Sequence, residues 1–437
     1  MQKQLADGLI LRSLSEGCAS DRDRLPQFYY DVFVETGTPE TEQALFPWTR
    51  DLMSGHPTVA LDDIFVVVDP AKDDMIVSAT LLIPQVWRYE EVELPVGRPE
   101  IVATHREYRR RGLVRALFEA VHERSAALGH NVCAITGIAH YYRQFGYTMA
   151  VHLGQHATLN APGIGKPPDE RYTLRPATME DLPDVARWSD YYARTRLLSA
   201  VYTPEVWRYE LGGRSDGNPW QLQYRVILNS EGQGVGYIAL RPHSFDDALT
   251  CFAYVVGEAA SYLETFPYVV YDIKQWGKAR FNKDAAIIDF ASGLHETVST
   301  LIDRTLAGLV RRREYAWYLR VVDLVRFMRD IQPVLERRLE GSGAQRYTGA
   351  LKIGFYNKTG LTLTFERGGL RAVTAGALDE RDADISFPWH LFLNVVFGYH
   401  TPDEIRAVLP EIWGNEKAAV LLPILFPKKP SWLIGLA

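Results

Sequence analysis

The sequence predicts an α/β (α+β) protein made of two tandem mixed-sheet units followed by a smaller α+β unit, and three observations carry that expectation. In the first 165 residues, strand-like runs alternate with a strongly amphipathic helical stretch, as in a mixed sheet covered by helices. A similar strand-then-helix opening returns about 160 residues later, the mark of a duplicated domain. From Glu314 onward the pattern changes to a helix, a set of short two-period strands and an apolar helix. The expected boundaries are 1–165, 166–313 and 314–437.

The first unit opens on Leu9-Ile10-Leu11-Arg12 and passes through a polar loop to Leu25-Pro26, Phe28, Tyr29 and Tyr30. Strand-like runs follow at Ile64 to Val68, Met75 to Pro84, Glu91 to Leu94, Ile101 to Thr104, Val132 to Ile138 and Met149 to Leu159. A helix is expected from Leu113, with Leu113, Leu117, Ala120, Val121 and Leu128 on one face and Arg115, Glu119, His122 and Glu123 on the other. The segment Ala161 to Asp169, rich in glycine and proline, reads as a linker.

The second unit repeats the opening: Tyr172-Thr173-Leu174-Arg175 leads to Leu182-Pro183, Trp188, Tyr191 and Tyr192. Its strand-like runs are Tyr224 to Leu228, Gly236 to Leu240, Cys251 to Val256 and Ala285 to Phe290. In the third unit a helix is expected from Tyr318 through Phe327 to Leu339. Two-period runs from Gly349 to Phe355, Leu361 to Phe365 and Leu370 to Val373 then form a meander, with Trp389 to Phe397 as an apolar helix.

Composition limits the partners. Of 437 residues, 47% are hydrophobic and 23% charged, which are globular values. A formal net charge of −6 argues against a polyanion binder, so nucleic acid is not expected as a partner. Cys18, Cys133 and Cys251 are too few and too scattered for a disulfide framework or a metal site, and they fit a reducing cytoplasm. Met1 to Leu11 holds no signal-peptide core, and the most apolar segment, Ala418 to Pro427, is short and interrupted by Pro423, so no membrane association is expected.

The chemistry concentrates between Glu100 and Tyr147. Strand Ile101-Val102-Ala103-Thr104 runs into Arg109-Arg110-Arg111-Gly112 and then the helix from Leu113. A glycine there lets a ligand approach the backbone. The first free N–H groups of the helix and the arginines then form a concave site for phosphate oxygens. A solvated basic turn would account for the same arginines, Arg106 included.

The spacing Arg109-x-x-Gly112, after an apolar strand and before an amphipathic helix, resembles the acyl-CoA loop of the GNAT N-acetyltransferases, which carry glycine or alanine where Val114 stands. The fuller string Arg109 to Arg115, with Tyr142-Arg143-Gln144-Phe145-Gly146-Tyr147, is similar to the enhanced intracellular survival (Eis) type, where a bulky residue after Leu113 is usual. That resemblance implies acetyl-CoA as cosubstrate and no metal. The donor would be held by Val102, Ala103 and Thr104, by Arg109, Arg110, Arg111, Gly112, Leu113, Val114 and Arg115, and by Gly137 and Ile138. Transfer would be direct, in a ternary complex, to a primary amine of aminoglycoside, polyamine or lysine type. Tyr142 matches the family's general acid, with Tyr141 as its rival. Family members assemble as hexamers and end in a sterol-carrier-protein-like unit, which implies the same here. The second unit has no arginine–glycine turn at Gly293-Leu294-His295-Glu296-Thr297, so it is expected to have lost the donor site.

The apolar tail Ser431 to Ala437 should be buried, which brings the α-carboxylate of Ala437 indoors, where it needs a partner or a job. The resemblance gives that carboxylate the role of base; covering a domain surface is the other account. His105 and His140 are expected to be solvated or packed, and Gly154 between His152 and His156 argues against a zinc site. The alternative from another class, a lipid or sterol carrier with a vestigial acyltransferase fold, would carry a degraded donor loop, whereas this loop is intact. A transferase using charged tRNA would show a basic groove that the acidic balance does not advertise.

Overall fold

The structure, a computed structural model, describes residues 2–153, 157–242, 248–291, 294–305 and 315–434. Its first sheet begins with Gln2–Gln4, Ile10–Ser13, Ile64–Asp69, Met75–Tyr89 and Val92–Thr104, side by side in chain order and antiparallel. Val132–Ile135 then joins parallel to Val92–Thr104, as a strand returning through a crossover helix must. The central strands are buried on both faces. Ile64, Val66 and Val68 pack under the helices Ala19–Phe33 and Leu45–Met53, while Phe65 and Val67 alternate onto the helix Leu113–Ala127. Leu113, Leu117, Ala120 and Val121 are buried as their spacing predicts, but Leu128 is exposed, because it is the C-cap beyond the last helical turn.

The first sheet is completed by a strand from far along the chain. Ala316–Val321 lies between Val132–Ile135 and Thr148–His152, antiparallel to both. The second sheet, in the order Ala157–Asn160, Ile287–Phe290, Ala248–Val256, Gly234–Leu240, Gln223–Asn229 and Tyr172–Pro176, takes its first strand from the end of the expected first unit. The two sheets therefore exchange a strand, and the expected single run from Met149 to Leu159 is two strands in different sheets. The helix expected from Tyr318 is likewise a strand. Trp317 and Leu319 face one core and Tyr318 another, a period of two that fits no helix. Helices start only at Leu324, where the Asp323 carboxylate accepts the Arg326 N–H at 2.9 Å, and run as Leu324–Asp330 and Gln332–Glu340.

The last sheet, in the order Gly369–Ala377, Thr359–Glu366, Gly349–Phe355 and Ile385–Phe387, is covered by those two helices and by Trp389–Val396, Pro402–Val408 and Glu416–Leu425. Its core is continuous with the first sheet through Tyr89, Phe327 and Phe397, and the Tyr89 hydroxyl donates to the Val396 carbonyl at 2.8 Å.

In the second sheet, the parallel pair Ala248–Val256 and Ile287–Phe290 is joined through the helix Tyr262–Phe281. The turn equivalent to Arg109–Gly112 is therefore 257–261, one helix earlier than the Gly293 segment expected from sequence, and Gly293 itself lies outside the described residues. That turn also lacks arginine. A β-carbon on Gly257 would stand 2.4 Å from the Trp188 indole, so this turn is packed where the one at Gly112 is open.

Candidate functional site

Parallel strands Val92–Thr104 and Val132–Ile135 pair only at Val96 with Val132 and Gly97 with Cys133, then part. Pro99 cannot donate to a ladder, and Ile101 at φ +46° marks an irregularity against Ala79–Leu81 that bends the strand. Beyond it, Val102, Ala103 and Thr104 form one wall of a cleft of about 690 Å³. Tyr108, Arg109, Arg110, Gly112, Leu113, Val114 and Arg115 form its floor, and Ile138, Tyr141, Tyr142, Gln144 and Phe145 its opposite wall.

Gly112 caps the helix at φ +75°, a left-handed conformation that glycine adopts without steric cost. Nothing lies within 4 Å of where its β-carbon would stand, so the approach to the first helical N–H groups is open. Arg109 is tethered to the Thr104 carbonyl at 3.2 Å and to the Glu35 carboxylate at 2.8 Å. Arg110, at φ +66°, lines the cleft with no partner among the described residues. Arg115 reaches the Gln144 carboxamide at 3.3 Å and lies over the Phe145 ring. Arg111, expected in the same cradle, turns away: it bonds the Glu107 carbonyl, stacks on Tyr108 and faces Asp7 at 3.7 Å.

Phe118 on the helix stacks on Phe145 with centroids 4.4 Å apart, fixing the far wall to the helix. Tyr142 is buried. Desolvation, reinforced by the Glu100 carboxylate, raises its phenol above the ordinary value, so it stays protonated at neutral pH. Tyr141 is raised in the same direction by burial but is only half-buried. Gly137 does not line the cleft; it lies behind Tyr142, where a β-carbon would stand 3.2 Å from the hydroxyl. His105 caps the Arg106–Tyr108 turn, accepting the Glu107 N–H at 3.4 Å. His122, brought down to about 4 by burial with Arg320 adding to it, shares a 2.9 Å hydrogen bond with Tyr147.

Several site residues have no local signature. Val32, Phe33 and Thr36, at the end of the first helix, close the cleft from the far side of the sheet. Glu100 pairs with buried Arg98, and its charge bears on both Tyr29 and Tyr142. Arg98 and Glu100 both fall between the strand-like runs Glu91 to Leu94 and Ile101 to Thr104, where nothing in the sequence marks them.

Ala437 lies outside the described residues, which end at Ile434. The tail before it is fastened: the Leu197 N–H donates to the Pro430 carbonyl and the Trp432 N–H to the Leu198 carbonyl, each at 2.8 Å, and the Tyr202 hydroxyl donates to the Ile434 carbonyl at 2.8 Å. No group of three or more histidine, cysteine, aspartate or glutamate side chains suited to a metal occurs among the described residues, and none of their helices is long and apolar enough to cross a membrane.

Residues 16–150 match the family model of the acetyltransferase (GNAT) domain. No curated protein matches the sequence. Among solved structures, a GCN5-related N-acetyltransferase from Anabaena variabilis ATCC 29413 is 14% identical, with a TM-score of 0.66 over 97% of this chain and 99% of its own. A conserved protein from Enterococcus faecalis V583, described as a probable N-acyltransferase, is 14% identical, with a TM-score of 0.65 over 98% and 99%. Eis1 from Mycobacterium abscessus is 14% identical, with a TM-score of 0.56 over 97% of each chain. At such identities the likeness is one of fold. Residues 16–150 thus match a GNAT acetyltransferase domain, within a mixed α/β fold that the chain has in common with these proteins over nearly its whole length.

Proposed function

We propose that the protein is an acetyl-CoA-dependent N-acetyltransferase that passes an acetyl group directly to a primary amine. GNAT acetyltransferases use acetyl-CoA as cosubstrate, and one observation above all supports that donor here: parted strands lead into a glycine-capped helix start beside the free guanidinium of Arg110. The amides of Leu113 and Val114 would take the pyrophosphate, aided by Arg109, Arg110 and Arg115. The unpaired edge of Val102, Ala103 and Thr104 would hold the amide arm and thioester, whose carbonyl gains charge as the amine attacks. Tyr142 would protonate the departing thiolate.

The base in this reading is the α-carboxylate of Ala437. Its support is the family resemblance of the chain, together with a tail that is fastened at Pro430, Trp432 and Ile434 rather than free. The acceptor we favour is an aminoglycoside, polyamine or lysine-type amine, and the remaining parts of the reading are a sterol-carrier-like C-terminal unit, a hexameric assembly and a cytoplasmic setting. A panel of such amines with acetyl-CoA, read by release of free thiol, tests the function. Amine-dependent thiol release is expected, and its absence across the panel would contradict the assignment.

A further inference from the structure

The segment 136–142, which leads to the cleft wall, leaves ordinary backbone at two points. Gly137 has φ +128° and His140 has φ +67°, the latter in a region that non-glycine residues seldom occupy. Both points are fastened by tyrosines from one place. The Tyr318 oxygen accepts the His140 N–H at 2.6 Å, and the Tyr315 hydroxyl donates to the Gly137 carbonyl. Tyr318 is fully buried, and its ring stands edge-on to Tyr142 with centroids 5.7 Å apart. Gly137 in turn backs the Tyr142 hydroxyl. Neither tyrosine lies within residues 16–150; both reach the segment because Ala316–Val321 inserts into the first sheet.

We infer that Tyr315 and Tyr318 are positioning residues for acyl transfer, holding the Tyr142 hydroxyl in the cleft wall through Gly137 and His140. The chain beyond the second sheet thereby completes a site that the first unit cannot complete alone. This rests on the reading of Tyr142 as the acid, and the test separates the two.

In the full-length protein, Tyr318→Phe keeps the ring and removes the hydroxyl. With the most rapidly acetylated amine of the panel, kcat should fall about tenfold or more while acetyl-CoA affinity changes less than about threefold. In a Tyr142→Phe background the same change should cost nothing further, because a residue acting through another is non-additive with it. Additive losses, or donor affinity falling as far as kcat, would overturn the inference while leaving Tyr142 as the acid. Wild-type turnover by Tyr142→Phe would remove the acid reading and this inference together. Hydrogen exchange needs no acceptor: the His140 amide should exchange faster in Tyr318→Phe, and an unchanged rate would overturn the inference. Tyr315→Phe, at a less buried position, should give the same pattern and serves if Tyr318→Phe does not fold.

Discussion

The Arg338 guanidinium lies 2.8 Å from the Glu90 carboxylate, both groups nearly buried, at the turn where strands Met75–Tyr89 and Val92–Thr104 meet the C-terminal unit. Arg337 and Lys429 converge on the same carboxylate. This cluster ties the strand that forms the cleft to the last helices of the chain.

Its acid sensitivity follows from the Glu90 carboxyl. Burial alone would raise its pKa, but Arg338, Arg337 and Lys429 outweigh that and bring it down to about 2. A depressed folded-state pKa stabilises above the unfolded value near 4.5, and that stability is lost as pH falls toward 2. The contribution is on the order of 2–3 kcal/mol. Chemical denaturation at pH 7 and pH 3 should show the loss, and Glu90→Ala should cost about 3 kcal/mol at pH 7 by leaving Arg338 unpaired. Equal stability of Glu90→Ala and wild type at pH 7 would refute the linkage.

Gly112→Val forces a β-branched side chain into the left-handed region at the helix start. Acetyl-CoA affinity by calorimetry should fall about 100-fold or more, equivalent to about 2.7 kcal/mol, with the circular dichroism spectrum unchanged. Wild-type affinity would contradict the donor-site assignment.

Tyr142→Phe should lower kcat by about 100-fold while leaving acetyl-CoA affinity within about threefold. Because its phenol is raised above its ordinary value by burial, the native enzyme should keep its acid form through pH 9. A turnover loss between pH 8 and 9 that disappears in Tyr142→Phe would assign the phenol a lower pKa than its surroundings give it.

Extending the chain by several residues beyond Ala437 should depress kcat more than donor affinity, since the added residues displace the terminal carboxylate. Full turnover by the extended protein would rule that carboxylate out as base.

What the sequence reveals of this site is what is local. Arg109 to Gly112, the helix from Leu113 and the Tyr142 turn are contiguous, and their spacing alone places them. Tyr318 was hidden because the partners of its strand lie some 180 residues away, and Tyr-Leu-Arg-Val-Val suits a helix as readily as a strand until its neighbours are known. Val32 and Phe33 follow Phe28, Tyr29 and Tyr30 with no motif to mark them, and only tertiary packing turns that helix end toward the cleft. Arg111 shows the opposite limit: motif spacing names residues but not the side to which each one points, and this one stacks on Tyr108.

The most direct measurement is a crystal structure of the protein soaked in acetyl-CoA. The pyrophosphate should lie against the Leu113 and Val114 amides and the Arg110 guanidinium, with the thioester beside Val102 and within reach of the Tyr142 hydroxyl. A cleft that stays empty at saturating coenzyme, or coenzyme bound elsewhere on the chain, would contradict the account.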